Sequence, residues 1–252
     1  MSEISAAYFL IAHGSRDPRS RQGLEACATL VRNNLAAHGT LKQPVPYVGT
    51  GVLEFGEQPL AVQIAAFAAA VARDGIRQVF LIPLFLVAGN HVNRDLPEAI
   101  HQARSDMPES ISLQLCPFLG SHPSMAQLLQ ERMNELRCDR WILLAHGTKR
   151  PGGNPAIDAL ATQLGAASAY WATAPTLEAR LRSFSGGTPL RVGILPYFLF
   201  TGSIIDSIGD RVAQLRAEYS ELDLHLARPL NPSPLLATLL LDRCTRTSSV
   251  PQ

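Results

Sequence analysis

The sequence predicts an α/β protein of two similar lobes, each with a parallel sheet of about four strands flanked by helices. Two observations support this prediction. Short segments that are apolar on both faces alternate with helical stretches, which is the pattern of parallel sheets covered by helices on both sides. The same succession of motifs also occurs twice along the 252 residues, so the two halves share one plan.

The repeat is clearest where apolar segments end. The first predicted strand of each half ends in a His-Gly pair, at His13 and, 133 residues later, at His146. The third predicted strand of each half leads to a glycine, and these two residues, Gly89 and Gly202, are 113 positions apart. The second half is therefore about 20 residues shorter between its first and third strands. Similarity at ordered points indicates an internal duplication.

Each half is predicted to repeat a strand followed by a helix four times. The strands are short apolar runs, and the helices carry apolar residues at helical spacing or begin with a helix-initiating residue such as Pro155. The most clearly marked segments are strands at 7–12, 79–88 and 141–145 and helices at 21–37, 59–72, 121–136 and 154–164.

We expect an N-terminal lobe over residues 1–122 and a duplicated C-terminal lobe over residues 123–252, joined by the crossover helix at about 121–136. Ligands of parallel α/β sheets bind at the carboxyl ends of the strands. Both His-Gly pairs and both glycine turns fall at such ends. The sequence therefore predicts an active-site cleft between the lobes.

Composition excludes several classes of function. With a formal net charge of +1, no overall field favours nucleic acid or an anionic membrane. The longest strongly apolar runs are about ten residues, too short to span a bilayer, and without basic residues before the first apolar run we expect no signal or transit peptide. The 4 cysteines lie far apart without a C-x-x-C pair, which is typical of reduced thiols in a cytoplasmic protein. Phosphate-binding glycine loops and the serine hydrolase elbow are also absent.

His13 and His91 are the candidate metal ligands. They follow different predicted strands and are 78 residues apart, but loops after neighbouring parallel strands converge. Two neutral imidazoles suit Co²⁺, Fe²⁺, Ni²⁺ and Zn²⁺, and they leave coordination positions open. The alternative is that each histidine only caps a strand end through backbone hydrogen bonds. Four further histidines are expected on the surface: His38, His101, His122 and His225.

Acidic and basic residues accompany these histidines. Glu54 and Glu57 follow the second predicted strand, where a carboxylate adds a metal ligand or accepts a proton from a substrate. For Glu57, capping of the next helix is the favoured alternative. Four basic residues in the same loops are candidates for binding carboxylates, although each is also compatible with a solvated surface charge. They are Arg16, Arg94, Lys149 and Arg150.

Three segments together resemble the CbiX-type sirohydrochlorin chelatases, the class II chelatases related by fold to ferrochelatase. They are the His13-Gly-Ser-Arg-Asp17 opening, the stretch Leu53–Glu57, and the run from Pro83 to Pro97 with its G-x-H-x-x-x-D pattern. The resemblance covers nearly the whole chain, as a long, internally duplicated form. It implies a chelatase-like fold and a lyase that inserts Co²⁺ or Fe²⁺ into sirohydrochlorin without ATP, in cobalamin or sirohaem biosynthesis.

The resemblance also implies roles for individual residues. His13 and His91 would bind the incoming metal and assist pyrrole deprotonation, with Glu54 as a supporting acid. Four neighbours would bind the tetrapyrrole substrate: Ser15, Arg16, Asn90 and Arg94. No cofactor is expected beyond the divalent metal substrate, although Ni²⁺ or Zn²⁺ would also be accepted in vitro.

The second half departs from a complete site. Aligning Gly202 with Gly89 places Ile204 opposite His91 and Ile208 opposite Asp95. We therefore expect the chemistry in the first lobe, with His146 as a remnant or an assistant.

Two other functions are compatible with these residues. A divalent-metal binding or delivery protein would bind Co²⁺ without catalysis, and a metal-independent α/β enzyme would use the histidines as acid and base. For a chelatase, the residues do not distinguish cobalt from iron as the metal substrate, because both ions accept imidazole ligands. The expected partners are sirohydrochlorin and a divalent metal ion, without nucleic acid or membrane, for a monomer or a homodimer.

Overall fold

The computed structural model of the protein describes residues 6–38, 47–150, 152–185 and 190–245. Within these ranges, strands and helices alternate as predicted. The strands are β1 Ala6–Ala12, β2 Val48–Val52, β3 Gln78–Pro83, β4 Ser112–Leu115, β5 Arg140–Ala145, β6 Ala167–Tyr170, β7 Leu190–Pro196 and β8 Leu222–Leu226. The helices are α1 Pro18–His38, α2 Leu60–Arg73, α3 Leu96–Ala103, α4 Met125–Asn134, α5 Pro155–Gln163, α6 Leu177–Phe184, α7 Ser203–Glu218 and α8 Pro234–Thr245.

The strands form two parallel sheets of four strands each, which confirms the predicted fold class. The first has the order β2-β1-β3-β4 and the second the order β6-β5-β7-β8. In the first sheet, Ile11 of β1 is in register with Gly51 of β2 and with Pro83 of β3. The ends of β1, β2 and β3 therefore meet at one edge of the sheet. The chain segments that follow these strands begin next to one another.

Successive side chains of β1 point to opposite faces of the sheet, and each face is covered by helices. Phe9 and Ile11 are buried with apolar residues of α2, α3 and β4 on one face. Helices α1 and α8 pack against each other, and α8 also contacts β3. In the second sheet, Ile142 and Leu144 of β5 pack with residues of α6 and α7 in the same way. Burial on both faces explains why these strands are continuous apolar runs.

The chain divides into two compact units after His122, but the predicted C-terminal lobe over 123–252 needs one correction. The final helix α8 belongs to the first unit, whereas α4 belongs to the second. Leu236 and Leu240 of α8 are fully buried, and the helix contacts α1 and β3. Burial of these side chains, rather than proximity along the chain, determines where the last helix packs.

Element boundaries differ slightly from the predicted ones. Helix α1 begins at Pro18 rather than at residue 21, and α4 is shorter than the predicted 121–136 segment. The prediction that His122 lies on the surface is wrong: it is 5% exposed, and its Nε2 lies 3.0 Å from Asp242 Oδ2 of α8. Burial with α8 therefore places this imidazole inside the first unit. None of the described helices is long and apolar enough to cross a bilayer.

Candidate metal centre

His13 and Glu54 are brought together by pairing that continues past the ends of β1 and β2. The amide of Leu53 donates to the carbonyl of Ala12 at 3.0 Å, and the amide of Glu54 donates to the carbonyl of His13 at 2.8 Å. These backbone bonds fix the two functional residues side by side. The Nε2 atom of His13 then lies 4.0 Å from Oε2 of Glu54.

Gly14 makes this close approach possible. Its φ of +96° lies in the left-handed region, which glycine adopts at little cost. A Cβ atom at this position would lie 1.9 Å from the carbonyl oxygen of Glu54. Glycine is needed here for two reasons: the turn has a positive φ, and the backbone of Glu54, after β2, lies too close for a side chain.

His91 comes from the segment after β3, the neighbour of β1 on its other side. Residues His91–Asp95 form one wide π-helical turn that continues directly into α3. Such turns are rare and often occur at functional sites. Here the turn brings Nδ1 of His91 within 2.8 Å of Oδ2 of Asp95, while Nε of Arg94 donates to Oδ1 of Asp95 at 3.0 Å.

The two imidazoles meet edge to face, with Nε2 of His13 and Nε2 of His91 separated by 3.1 Å. The Nδ1 atoms face oxygens that only accept hydrogen bonds: the Gly14 carbonyl at 3.0 Å for His13 and the Asp95 carboxylate for His91. With Nδ1 as the hydrogen-bond donor of each ring, the two Nε2 atoms are the positions left to bind a metal ion. A contact of 3.1 Å between two Nε2 atoms is favourable only with a proton or a metal ion between the rings.

The spacing suits one shared metal ion. Two nitrogens bound at about 2.1 Å lie roughly 3.0 Å apart at right angles and about 3.4 Å apart at the tetrahedral angle. The ligand atoms of His13, His91 and Glu54 all lie within 4.8 Å of one another. Among residues 6–38, 47–150, 152–185 and 190–245, this is the one group of at least three potential ligands close enough to share an ion.

The site is accessible to solvent. The side chains of His13 and Glu54 are each 45% exposed, and that of His91 is 35% exposed. A structural metal site normally encloses its ion with four protein ligands, whereas an ion held here would keep coordination positions open. The arrangement is therefore suited to an ion that is bound and then passed on.

Asp95 supplies a fixed negative charge behind His91. Its hydrogen bond from Arg94, together with the one from His91, lowers the pKa of the Asp95 carboxyl below its usual value. The carboxylate therefore stays ionised as the pH falls through the mildly acidic range. A carboxylate on the far nitrogen of a metal-binding histidine fixes the ring and raises its basicity as a ligand.

The predicted substrate-binding residues surround this centre in different ways. The hydroxyl of Ser15 accepts a hydrogen bond from the amide of Asp17 and so shapes the loop after β1. The guanidinium of Arg16 lies over the ring of Phe55, and that of Arg94 pairs with Asp95. Asn90 is exposed at the start of the helical segment that carries His91. Their contact with a substrate remains a prediction.

The predicted capping role of Glu57, through its charge before the first turn of α2, stays a prediction. The N-cap residue of α2 is Pro59, which has no side-chain cap hydrogen bond. Glu57 is exposed and lines the same cavity as Glu54. In the second unit, Lys149 and Arg150 are exposed in the loop after β5.

The second unit repeats the backbone of the first site but keeps only His146 of its three potential metal ligands. Gly147 has a φ of +79°, and the amide of Ala172 donates to the carbonyl of His146 at 2.9 Å, as Glu54 does to His13. Ala172 thus occupies the position of Glu54. Ile204 is 40% exposed near the start of α7 and Ile208 is fully buried, where the sequence alignment placed them opposite His91 and Asp95.

Three residues of the first site were not assigned a role from sequence. Asp95 was recognised only as part of a motif, although its spacing of four residues from His91 was a usable signal. Gln63 of α2 accepts from the amide of Val52 at 3.1 Å and donates to its carbonyl at 3.0 Å. It thereby pairs with the open edge of β2 just before Glu54. Phe55, the third, gave no signal of its own.

Comparison with known protein families identifies what kind of centre this is. The CbiX family model matches residues 7–136 and, separately, residues 140–247. The chain belongs to the CbiX family. The two matches in succession also confirm that this CbiX protein is internally duplicated.

Curated relatives of this CbiX protein carry two related names. A sirohydrochlorin cobaltochelatase of Priestia megaterium is 26% identical over 249 residues, covering 92% of this chain and 77% of the relative. A sirohydrochlorin ferrochelatase of Bacillus subtilis (strain 168) is 23% identical over 258 residues, covering 98% and 93%. The resemblance noted in the sequence is thereby confirmed.

Solved structures agree with the fold of this CbiX protein. SirB from Bacillus subtilis with Fe³⁺ has a TM-score of 0.76 at 20% identity, covering 97% of this chain and 96% of SirB. A CbiX named as the terminal enzyme for biosynthesis of siroheme in denitrifying bacteria has a TM-score of 0.61 at 18% identity, covering 97% and 100%. At these identities the likeness establishes the chelatase-like fold.

Proposed function

We propose that this protein is a sirohydrochlorin chelatase, a lyase that inserts a divalent metal ion into sirohydrochlorin without ATP. The observation that carries the proposal is the pair of Nε2 atoms 3.1 Å apart, with a Glu54 oxygen close enough to share an ion with them. The names of the curated relatives support the same substrate. In this proposal His13 and His91 hold the metal substrate, and no resident cofactor takes part.

Insertion exchanges two pyrrole N–H protons for one divalent ion. His13 and His91 hold the ion against one face of the macrocycle, which converts an encounter of two solutes into a reaction within one complex. Glu54 lies close enough to accept one proton. As the ion moves to the pyrrole nitrogens, the Nε2 lone pairs are released, and one of them accepts the second proton. Solvent removes both protons afterwards because the side chains are exposed.

The metal is proposed to be Co²⁺ or Fe²⁺. Both are borderline ions that accept imidazole, and a site built on two imidazole nitrogens does not separate them by ligand type. The relatives include both a cobaltochelatase and a ferrochelatase. We expect both ions to be inserted in vitro, with Ni²⁺ or Zn²⁺ as slower substitutes.

The test is one assay. Metal-free sirohydrochlorin is mixed anaerobically with the protein and Co²⁺, Fe²⁺ or Ni²⁺, and the absorption spectrum is followed against a reaction without protein. Acceleration of the spectral change by catalytic amounts of protein is the expected result. Metal binding without acceleration would instead indicate a metal-delivery protein. Turnover of another substrate that is insensitive to strong chelators would indicate a metal-independent enzyme.

The variant Glu54→Gln tests whether Glu54 acts as a proton acceptor or as a metal ligand. In the proposed reaction the carboxylate of Glu54, which lies 4.0 Å from Nε2 of His13, acts mainly on protons. The turnover number should then fall roughly a hundredfold, as for loss of a general base. The Kd for Co²⁺, measured by calorimetry, should change less than about threefold.

The matched control for Glu54→Gln is Glu98→Gln, which removes an exposed carboxylate from the first turn of α3. This control should leave both the turnover number and the Kd for Co²⁺ unchanged. A large rise in the Kd for Co²⁺ in Glu54→Gln, with normal turnover at saturating metal, would make Glu54 a ligand instead.

Asp95→Asn tests the support of His91. The variant keeps the shape of the side chain but removes the charge that faces Nδ1 of His91. Loss of such a partner typically weakens metal binding about 10- to 100-fold. We expect a weakening in this range for Co²⁺ by calorimetry, and a control, Asp106→Asn, on the exposed loop after α3, should bind as the wild type does. Unchanged affinity in Asp95→Asn would show that the charge has no role.

A cytoplasmic location is also part of the proposal. All 4 cysteines of the sequence are free thiols in the structure. Free thiols are typical of a reducing compartment. No nucleic acid or membrane takes part in the proposed reaction.

A further inference from the structure

Phe55 has two unusual features, a positive φ and an exposed aromatic ring, and neither contributes to the hydrophobic core. Its φ of +59° lies in the left-handed region, which a bulky L-residue rarely adopts. Its side chain is also 55% exposed, the most exposed large apolar residue among those described. A strained backbone that presents an aromatic ring to solvent is typical of a position that serves a ligand.

The surrounding backbone holds Phe55 in this conformation. On one side, the amide of Glu54 is fixed by its bond to the carbonyl of His13. On the other side, the amide group of Gln63 donates to the carbonyl of Gln58 at 2.7 Å and pairs with Val52 on the edge of β2. The turn between Val52 and Gln58, which contains Phe55, is therefore anchored at both ends.

The ring lies next to the candidate metal centre. Phe55 directly follows Glu54 and lines the same cavity as Gly14, Ser15 and Glu54. The guanidinium of Arg16 lies 5.4 Å from the centre of the ring. An aromatic ring and a positive charge thus lie together, next in the chain to Glu54, whose carboxylate lies 4.0 Å from Nε2 of His13.

We propose that Phe55, together with Arg16, binds the planar face and a peripheral carboxylate of an anionic tetrapyrrole, and so determines how the macrocycle lies over His13 and His91. Extended π systems stack on exposed aromatic rings, and arginine pairs with carboxylates. The occupant is thus a flat, aromatic polyanion. This inference rests on the proposed function, because it concerns the substrate of the same site.

The experiment measures macrocycle binding separately from metal binding. Metal-free sirohydrochlorin is titrated anaerobically into wild type, Phe55→Gly, Phe55→Leu and Phe55→Trp, and Co²⁺ alone is titrated into the same proteins. Glycine relieves the positive φ and removes the ring, so Phe55→Gly should melt no lower than the wild type. Its Kd for sirohydrochlorin should rise roughly tenfold, as when one stacking ring is lost.

The other variants distinguish stacking from a structural role. Phe55→Leu should also weaken sirohydrochlorin binding, whereas Phe55→Trp should restore it to within about twofold of the wild type. The affinity for Co²⁺ alone should stay within about twofold in all of them, and KM for sirohydrochlorin should rise more than kcat falls. The matched control is Val62→Ala on α2, another exposed apolar side chain, which should change none of these values.

Four results would overturn the inference. Unchanged sirohydrochlorin affinity in Phe55→Gly, while wild type is an active chelatase, would overturn it alone. An equal loss of Co²⁺ affinity would show that Phe55 only supports Glu54. A dimer in wild type that Phe55→Gly converts to a monomer would assign the ring to a second copy of the chain. Absence of sirohydrochlorin binding by wild type would overturn this inference and the proposed function together.

Discussion

Replacing His13 or His91 with alanine is expected to abolish metal insertion while leaving the protein folded. Each variant removes one of the two Nε2 atoms that lie 3.1 Å apart, so a single imidazole remains to hold the ion. The rate should fall by roughly 10³-fold, because both positioning of the metal and proton acceptance are lost. The side chains are exposed enough that the free energy of unfolding should change by less than about 0.5 kcal/mol.

The measurement is turnover of sirohydrochlorin with Co²⁺, accompanied by a Co²⁺ titration and a melting curve for each variant. The two single variants and the double variant should be about equally inactive, because the two imidazoles act as a unit. Additive losses would instead mean that each histidine works independently. Wild-type turnover in either single variant would exclude the assignment of the pair.

His146→Ala is the matched control for these variants. His146 follows β5 as His13 follows β1, and it is also exposed and followed by a glycine of positive φ. Ala172 occupies the position of the acid beside it, and Ile204 that of the second histidine, so we expect the variant to keep full activity. A loss comparable to that of His13→Ala would mean that His146 assists the reaction.

The sequence predicted that the two histidines converge, on the condition that their strands belong to one parallel sheet. The structure supplies the strand order, in which β1 and β3 are direct neighbours. The role of Asp95 needed the structure, because its contact with His91 depends on the wide turn between them. A helical spacing alone does not state which way each side chain points.

Other features depend on packing between segments far apart in sequence. The assignment of α8 to the first unit follows from its contacts with α1 and β3, which no local pattern encodes. The loss of the acid at Ala172 was hidden because the second half is about 20 residues shorter there, so the sequence offered no anchor for alignment. The backbone bond from Ala172 to His146 supplies that anchor.

Gly14→Ala is expected to destabilise the first unit and to disrupt the site even where the protein stays folded. The new Cβ would lie 1.9 Å from the carbonyl oxygen of Glu54, which is backbone and cannot rotate away. Relief requires β1 and the segment after β2 to separate, and this breaks the 2.8 Å bond between Glu54 and His13. We expect a loss of about 2–4 kcal/mol in the free energy of unfolding, seen as a melting temperature lower by roughly 5–15 °C.

Gly75→Ala separates the clash from the strain of a positive φ. Gly75 has a φ of +82°, close to the +96° of Gly14, but a Cβ there meets no atom within 4 Å. That variant should lose only about 1–2 kcal/mol, the usual cost of a left-handed L-residue, and should keep its kcat for sirohydrochlorin. Gly14→Ala should also lose kcat well below its melting temperature, since Glu54 no longer lies beside His13. Equal destabilisation by the two variants, with equal activity, would mean that the contact with Glu54 constrains neither the fold nor the reaction.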